Sequence, residues 1–575
     1  MPLMGSFHIG TSGLQTSQNA LNTTAHNLSN VDTVGYTRQQ VQQASRYYTT
    51  ISVRPDSVAN QQTGLGVNYA RVKQVRDYFL DKTYRLEVGR SQFYKVSTEV
   101  MEEVESQLGE LNGEAFQTTL TDLWTAIEEI SKDPSSSVTQ GLLVQRASEF
   151  VERASAVYTG LRSYQDNLNR QVAQQVNRIN DYGNQLLTLN DRIRSIESGG
   201  VEQANDLRDT RNKLLDDMAE LADITVGEDA YGNVTVQIEG VDFVKGNNCY
   251  EIGLDVDETN GFYTPFWPQN ATFVVNVNGT RTYNIDGAEV FDLTREISAD
   301  MGTDIGGLKA MLLARGDHRA DYTDIKAENY DKVAPSVLMN IQGEFDQLVH
   351  NVVSAVNDIL AKAAGVTRGN LTLADGTVLE NAAYCVQDVG GYLRGETGVP
   401  LQLFSKITSD GYDKVTGADG KEYWVFREEI EEKQDSLYSI KNIGINAELM
   451  QNPARLGFVK ADGSVDNDTM EALKAAFEEE KYTLNPDVRK NVDFITYYTD
   501  LVSQIANSGS VYRSISENQE NTVEATDSAR QQILAVSSDE ELSNMIKFQN
   551  AFNASSRYIN VISEMLQHLI STLGS

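Results

Sequence analysis

Metal ligation and nucleophilic chemistry in this chain would fall first to its five histidines and two cysteines. Their spacing supports neither. His8, His26, His318, His350 and His568 never stand at a ligand-like interval, and Cys249 and Cys385 lie far apart with no CxxC. The reading is no zinc site and no disulfide framework, with a single bridge left open. Two acidic turns come closer to a calcium loop. DVDETNG, residues 255–261, begins like one, but its glycine falls at the seventh position instead of the sixth and no Glu follows at the twelfth. DGSVDNDTME, residues 462–471, fails the same template. GTSGLQTS, residues 10–17, has two glycines three apart and nothing else of a phosphate loop, so Gly10 and Gly13 are expected to loosen the start of a helix. There is no P-loop, GxSxG, HExxH or strand-linked GxGxxG. Carboxylate pairs are so abundant here that they carry no information about glycosidase chemistry. The chain therefore reads as a non-enzyme without metal or cofactor.

Composition narrows the class further. The 82 Asp and Glu outnumber the 48 Lys and Arg, for a net charge of −34. Such a surface repels phosphate backbones and anionic membranes over a Debye length of ~8 Å, which argues against a nucleic-acid partner. No run of ~18 apolar residues is present for a membrane span. The start MPLMGSFHIGTSG has neither the cationic opening nor the apolar core of a secretory signal. On sequence alone the chain reads as cytosolic, unless it leaves by a route that needs no cleaved signal. At 575 residues it should form about three or four domains.

The elements that position these residues are clearest at the two ends. The first thirty residues contain no Asp, Glu, Lys or Arg, and Phe7, Leu14, Leu21 and Leu28 recur at intervals of seven. This is a thin helical seam, with one large apolar group per heptad. It should stop where Asn27, Asn30 and Asp32 favour turns and Gly35 allows positive φ. At the other end Met545, Phe552, Ile559 and Leu566 repeat the same spacing, flanked by Leu542, Ile546, Ile562, Met565, Leu569 and Ile570. Ser538 is expected to cap that helix ahead of Glu540 and Glu541, and Gly574 to close it. Two such helices predict pairing of the chain ends, with each other or with neighbouring subunits, as a coiled coil.

Between the ends the texture alternates. Residues 72–222 read as long helices, the best run being Leu168, Val172, Val176, Ile179, Tyr182, Leu186, Leu189, Ile193 and Ile196. Helical partners are expected in 304–365 and 488–537. Residues 223–303 alternate apolar and polar around YGN and NGT turns and read as a β-rich insertion; 366–487 read as mixed, with short helices near 448–453 and 467–481. The fold class expected is mainly α with inserted β-rich domains. It comprises a terminal coiled-coil unit (1–50 with 538–575), a linker (51–71), a discontinuous helical bundle and two outer insertions.

One further observation is a resemblance. ALNTTAHNLSNVDTVGYTRQ, residues 20–39, resembles the N-terminal signature of the axial proteins of the bacterial flagellum, the rod, hook and hook-associated proteins, through Asn27, Leu28, Asn30, Thr33, Gly35, Tyr36 and Arg38. ELSNMIKFQNAFNASSRYINVISEMLQHLI is similar to the closing helix of the same group, with Glu541, Leu542, Met545, Ile546, Gln549, Ala551, Ala554, Ser555 and Ile559 matching. Within the group, GYTRQ in place of GYK, NDLRDTRNKLLDDMAELADI and GGLKAMLLARGDH resemble the hook-associated proteins of the hook–filament junction. The likeness covers 1–225, 305–365 and 490–575, and the start before Phe7 is longer than usual. It implies a structural, extracellular flagellar component, exported unfolded by the flagellar type III apparatus with a chaperone. Its terminal helices would order in a helical or ring homo-oligomer that contacts hook protein and the next hook-associated junction protein. The implied assembly residues are Phe7, Leu14, Leu21, Leu28, Asn30, Gly35, Tyr36 and Arg38, with Leu542, Met545, Phe552, Ile559 and Leu566. The alternatives are another hook or rod component, or an adhesin or surface enzyme in the outer insertions.

Overall fold

The computed structural model describes residues 3–53, 60–109, 115–200, 202–229, 231–276, 281–460 and 462–573. Helix α1 (Leu3–Ser29) runs without a break and ends at the asparagine-rich turn. Four strands follow: β1 (Gln39–Ser45), β2 (Thr49–Val53), β3 (Asn60–Thr63) and β4 (Val67–Gln74). β1 pairs antiparallel with β4, Gln39 opposite Gln74, and β2 with β3. Of the linker expected at 51–71, residues 54–59 lie outside the described residues, and most of the remainder belongs to these strands.

The central bundle begins with α2 (Tyr78–Leu108), α3 (Phe116–Lys132), α4 (Ser137–Glu197) and α5 (Asn205–Ala219). Its ends are chemically marked. The Asp77 side chain accepts hydrogen bonds from Phe79 N and Leu80 N, and Gly109 closes α2 in the left-handed region at φ 73°. α4 extends for 61 residues and buries Leu161, Leu168, Val172, Val176, Ile179, Leu186 and Ile193, so the sequence rhythm marks its inner face.

The first insertion is a β-meander laid on α4. β5 (Ile224–Glu228), β6 (Val234–Ile238), β7 (Val241–Lys245) and β8 (Asn248–Cys249) form one antiparallel sheet in that order. In β6 Val234, Val236 and Ile238 are buried while Thr235 and Gln237 face outward, the period-two pattern of a strand with one packed face. Two ribbons follow, β9 (Gly253–Val256) with β10 (Tyr263–Phe266), and β11 (Thr272–Val275) with β12 (Arg281–Asn284). The NGT turn expected between the last two lies outside the described residues. Three asparagines of α4 fasten this insertion by hydrogen bonding to its backbone through both amide atoms. Asn190 donates to Val234 O (2.9 Å) and accepts from Val234 N (3.1 Å). Asn180 does the same with Ile252, and Asn169 links Gly261 O and Tyr263 N. Each side-chain amide thus satisfies backbone groups that burial would otherwise strand.

The chain then returns through α6 (Gly307–Arg315), the short α7 (Tyr330–Val333) and α8 (Val337–Ala363). The second insertion holds β13 (Thr367–Thr372), β14 (Val378–Val386), β15 (Phe404–Lys406), β16 (Tyr412–Thr416), β17 (Glu422–Phe426) and β18 (Ile443–Ile445). The sheet order is β13-β14-β17-β16, with β15 and β18 paired apart. Helices α9 (Ala447–Gln451) and α10 (Asn467–Glu478) precede α11 (Phe494–Leu534), which runs along α2, and α12 (Ser538–Leu573), which runs along α1. One apolar core joins bundle and insertions. At its centre Phe116 meets Phe150, Phe345 and Tyr498, from α4, α8 and α11, with ring centroids 4.8 to 5.3 Å apart. Such rings gain both burial and edge-on contact.

Candidate assembly interface

The surface of α1 that meets α12 is made of small residues. A methyl group built on Gly10 would stand 2.7 Å from Ile559 Cγ1 and 3.1 Å from Tyr558 Cδ1, and one on Gly13 would stand 2.8 Å from Ser555 Oγ. Gly10 and Gly13 therefore do not loosen the helix, as their residue type suggests. They let two backbones approach, the same device that draws helices together in membranes. Ser17, Ala20 and Thr24 continue this row at three- and four-residue steps and are buried. Phe7, Leu14, Leu21 and Leu28 are only half-buried and flank it.

On α12 the half-buried or buried positions Met545, Phe548, Phe552, Ser555, Ile559, Ile562 and Leu566 alternate steps of three and four, the rhythm of a coiled-coil face. Leu542, Ile546, Tyr558, Val561, Met565, Leu569 and Ile570 are exposed, Ile546 at 61% and Ile570 at 68%. The C-terminal helix thus offers more apolar surface than α1 covers. The helix begins one residue earlier than expected from its sequence. Ser537, not Ser538, supplies the cap, with its Oγ accepting from Glu540 N at 3.4 Å and its carbonyl from Glu541 N. Gly574 lies outside the described residues.

At the open end of the pair the turn is locked by Asn27, which is 1% exposed. Its Oδ1 accepts from Tyr36 Oη (2.8 Å) and Gln39 N (3.1 Å), and its Nδ2 donates to Gln39 O (2.8 Å). Tyr36 also sets its ring edge-on to His26 at 5.6 Å. Asn30 ties the corner through His26 O and Thr33, and Gly35 takes φ 82°, a value that favours glycine. Arg38 then reaches across 503 residues of sequence. Its Nε donates to Glu541 (2.9 Å), its Nη1 to Glu540 (2.8 Å), and its backbone N to Leu534 O (2.9 Å). Glu541 is almost fully buried, so this charge-assisted pair replaces water that the carboxylate has lost.

The turn is fastened to the bundle through α5. Asp209 Oδ2 accepts from Thr37 N (3.1 Å) and Oδ1 from Gln74 Nε2 (2.8 Å). Burial pushes the Asp209 carboxyl up to about 6, against the lowering effect of the Thr37 hydrogen bonds and of Arg76. Arg530, near the end of α11, donates to Asp216 at 2.8 Å and lies 3.8 Å over the Tyr84 ring. A cleft of about 420 Å3 opens between residues 30–37, α5 and the end of α11, with Val34 at its rim.

The structure therefore gathers Asn30, Gly35, Tyr36 and Arg38 at one corner, and spreads the other sequence candidates along the two helices. Glu541 and Asp209 belong to motifs visible in the sequence, but their partners lie hundreds of residues away. Elsewhere, Asp257 and Asp462 spend their carboxylates on the backbone and hydroxyls of their own turns. Cys249 and Cys385 are both free thiols. His318, held between Asp317 and Asp324, is pushed up to about 10 by those hydrogen bonds, and His350 stacks on Tyr322 at 3.7 Å. No cluster among the described residues has a metal-ligand set, and no helix there is long and apolar enough to cross a membrane.

Comparison with known proteins gives three family matches. The flagellar hook-associated protein FlgK helical domain matches residues 101–372, the flagella basal body rod protein residues 7–37, and the flagellar basal body rod FlgEFG protein C-terminal domain residues 532–572. The chain is 25% identical over 567 residues to flagellar hook-associated protein 1 of Bacillus subtilis (strain 168), covering 98% of this chain and 96% of that protein. With flagellar hook-associated protein 1 of Escherichia coli (strain K12) it shares 22% identity over 582 residues, 97% of this chain and 98% of that one. The solved structure of the flagellar hook junction protein FlgK from Burkholderia pseudomallei aligns with a TM-score of 0.49 and 13% identity, over 79% of this chain and 100% of that one.

Proposed function

Because this chain belongs to the flagellar hook-associated protein family, a structural and non-enzymatic family of the bacterial flagellum, we propose that it forms the junction between hook and filament. The observation that carries this reading is the unequal helix pair at its ends. α1 contributes small residues to a close seam, and α12 keeps a row of large apolar side chains exposed. A monomer gains nothing from that exposed row, whereas a ring or helical polymer buries it between copies. In this reading the chain is exported unfolded through the flagellar type III apparatus, without a cleaved signal and with a chaperone. α1 and α12 then order as a coiled coil when the subunit reaches the growing end. The uncharged α1 suits an inner layer, since packing there strands no unpaired charge.

The partners proposed are other copies of this chain, hook protein below and the next hook-associated junction protein above. Phe7, Leu14, Leu21, Leu28 and the corner Asn30 to Arg38 would act with Leu542, Met545, Phe552, Ile559 and Leu566 as the assembly surface. The proposed division follows the same logic: 1–50 with 538–575 as the inner unit, 51–71 as the connection, 72–222 with 304–365 and 488–537 as the load-bearing bundle, and 223–303 and 366–487 as outer parts.

Deleting the gene in its own bacterium tests the junction assignment. Hooks without filaments, with flagellin shed into the medium, are the expected outcome. Missing hooks would make the protein a hook or rod component, and intact swimming filaments would end the proposal.

A further inference from the structure

Beside the Asp209 anchor of the corner, a cavity of about 260 Å3 lies between the end of β4, the start of α2, α5 and the strands β5 and β6. Five cations line it, Lys73, Arg76, Arg85, Arg208 and Arg211, together with the carboxylates of Asp81 and Glu228. Asp216 and Glu197 bond Arg85 and Arg208 and bring the carboxylates to four. Asp209, which accepts from Gln74 on the cavity wall, makes five, so cations and acids balance here in a chain of net charge −34.

Two of the guanidinium groups are not fully satisfied. Arg211 is 2% exposed; Nη1 donates to Asn190 and Gly232 O, Nη2 reaches Glu228, and Nε has no partner among the described residues. Arg85 is 7% exposed; Nε donates to Asp216, and Nη2 has no partner among the described residues. Buried donors are normally paired, and a buried cation normally has a full counter-charge. Glu228, the acid nearest Arg211, is itself partly in solvent, and burial pushes the Arg211 pKa down, the sign of a cation whose desolvation is incompletely offset. Water in the cavity could accept from both donors, but it brings no counter-charge to the incompletely offset Arg211. The first turn of α5 borders the same cavity through Gln203, Asn205 and Arg208, but its Ala204 N already donates to Glu197 Oε1 at 3.0 Å, so that helix end adds no free donor.

We propose that this cavity binds one tetrahedral oxyanion of the phosphate or sulfate class, with Arg85 and Arg211 as buried donors and the exposed Lys73 as the outer cation. The donors come from β4, α2 and α5, three directions that suit a tetrahedral ion better than a planar carboxylate. The cavity holds such an ion with waters around it. The bound ion would fasten α5, which carries Asp209, to the strand that carries Gln74.

Isothermal titration of the full chain with sodium phosphate, in chloride buffer at constant ionic strength, tests the site. One saturable site is expected, competed by sulfate and untouched by acetate. Lys73 is exposed and unpaired among the described residues, so Lys73→Glu should leave the fold intact and weaken phosphate by about tenfold or more. Lys132→Glu, far away on α3, should bind as the native chain does. Absence of a saturable heat in the native chain, equal weakening by both variants, undiminished binding by Lys73→Glu, or acetate binding as tightly as phosphate would each overturn the assignment.

Discussion

In the central bundle Phe116 touches three aromatic rings from three other helices, whereas α1 meets α12 with two glycines and a row of small side chains. Both are helix contacts at close range, but they store stability differently. The bundle holds large side chains away from water and is complete within one chain. The terminal pair buries little, keeps apolar residues of α12 outside, and relies on the Arg38–Glu541 corner for its register. Two terminal helices of this kind should come apart at lower cost than the bundle, which suits the proposed ordering of the ends on assembly.

The comparison breaks first if the bundle can be emptied cheaply. Phe345→Ala should cost about 3–5 kcal/mol, because it removes the ring against which Phe116 packs and leaves a cavity among four helices. Urea unfolding followed by tyrosine and tryptophan fluorescence measures it. A loss under about 1 kcal/mol would mean the bundle is as loosely built as the ends.

A pH dependence confined to the bundle sharpens the contrast. Asp346 accepts from Tyr322 N and Ile440 N but is fully buried, and burial pushes its carboxyl up to about 7; Glu344 is likewise pushed up to about 7. Between the ordinary carboxylate range and about pH 7 the folded chain keeps protons that the unfolded chain has lost. Stability therefore falls as pH rises through that window and levels off above it. Asp346→Asn should flatten this slope in urea midpoints taken from pH 4 to pH 8, even if its plateau is lower. An unchanged slope would remove Asp346 as its source.

At the ends the expected effects are smaller. Gly10→Val places carbon where Ile559 already stands and should cost the helix pair about 1–3 kcal/mol. Hydrogen exchange should rise along α12 and remain as it was in α4. Equal protection of α12 in the native chain and in Gly10→Val would show that the seam has room to adjust.

How much of this was legible beforehand follows from the same contrast. The rhythm of α4 and the period-two strands are local signals, and large apolar side chains make them visible. The seam of α1 was misread because a heptad search weights Phe7, Leu14, Leu21 and Leu28, while the contact is made by what is missing at Gly10 and Gly13. Asn169, Asn180 and Asn190 looked like ordinary polar positions on a long helix. Their partners are backbone groups of the first insertion 44 to 94 residues further on, and side-chain amides carry no sequence sign of what they will bond. Asn27 was legible as a turn residue by its type, Tyr36 and Arg38 only through the family signature; Glu541 and Asp209 became their neighbours only in three dimensions.

The smallest effect on the isolated chain should be the largest on the assembled one. Ile546→Asp with Met565→Asp alters two exposed side chains of α12 that make no part of the seam, so the unfolding free energy should stay within about 0.5 kcal/mol of the native value. If neighbouring copies cover that surface, the same chain should be exported and yet leave hooks without filaments, because each new contact would bury a carboxylate with no partner. Filaments of normal number and length would return this face of α12 to ordinary surface, and would leave the flanking residues Leu14, Leu21 and Leu28 of α1 as the place where one copy meets the next.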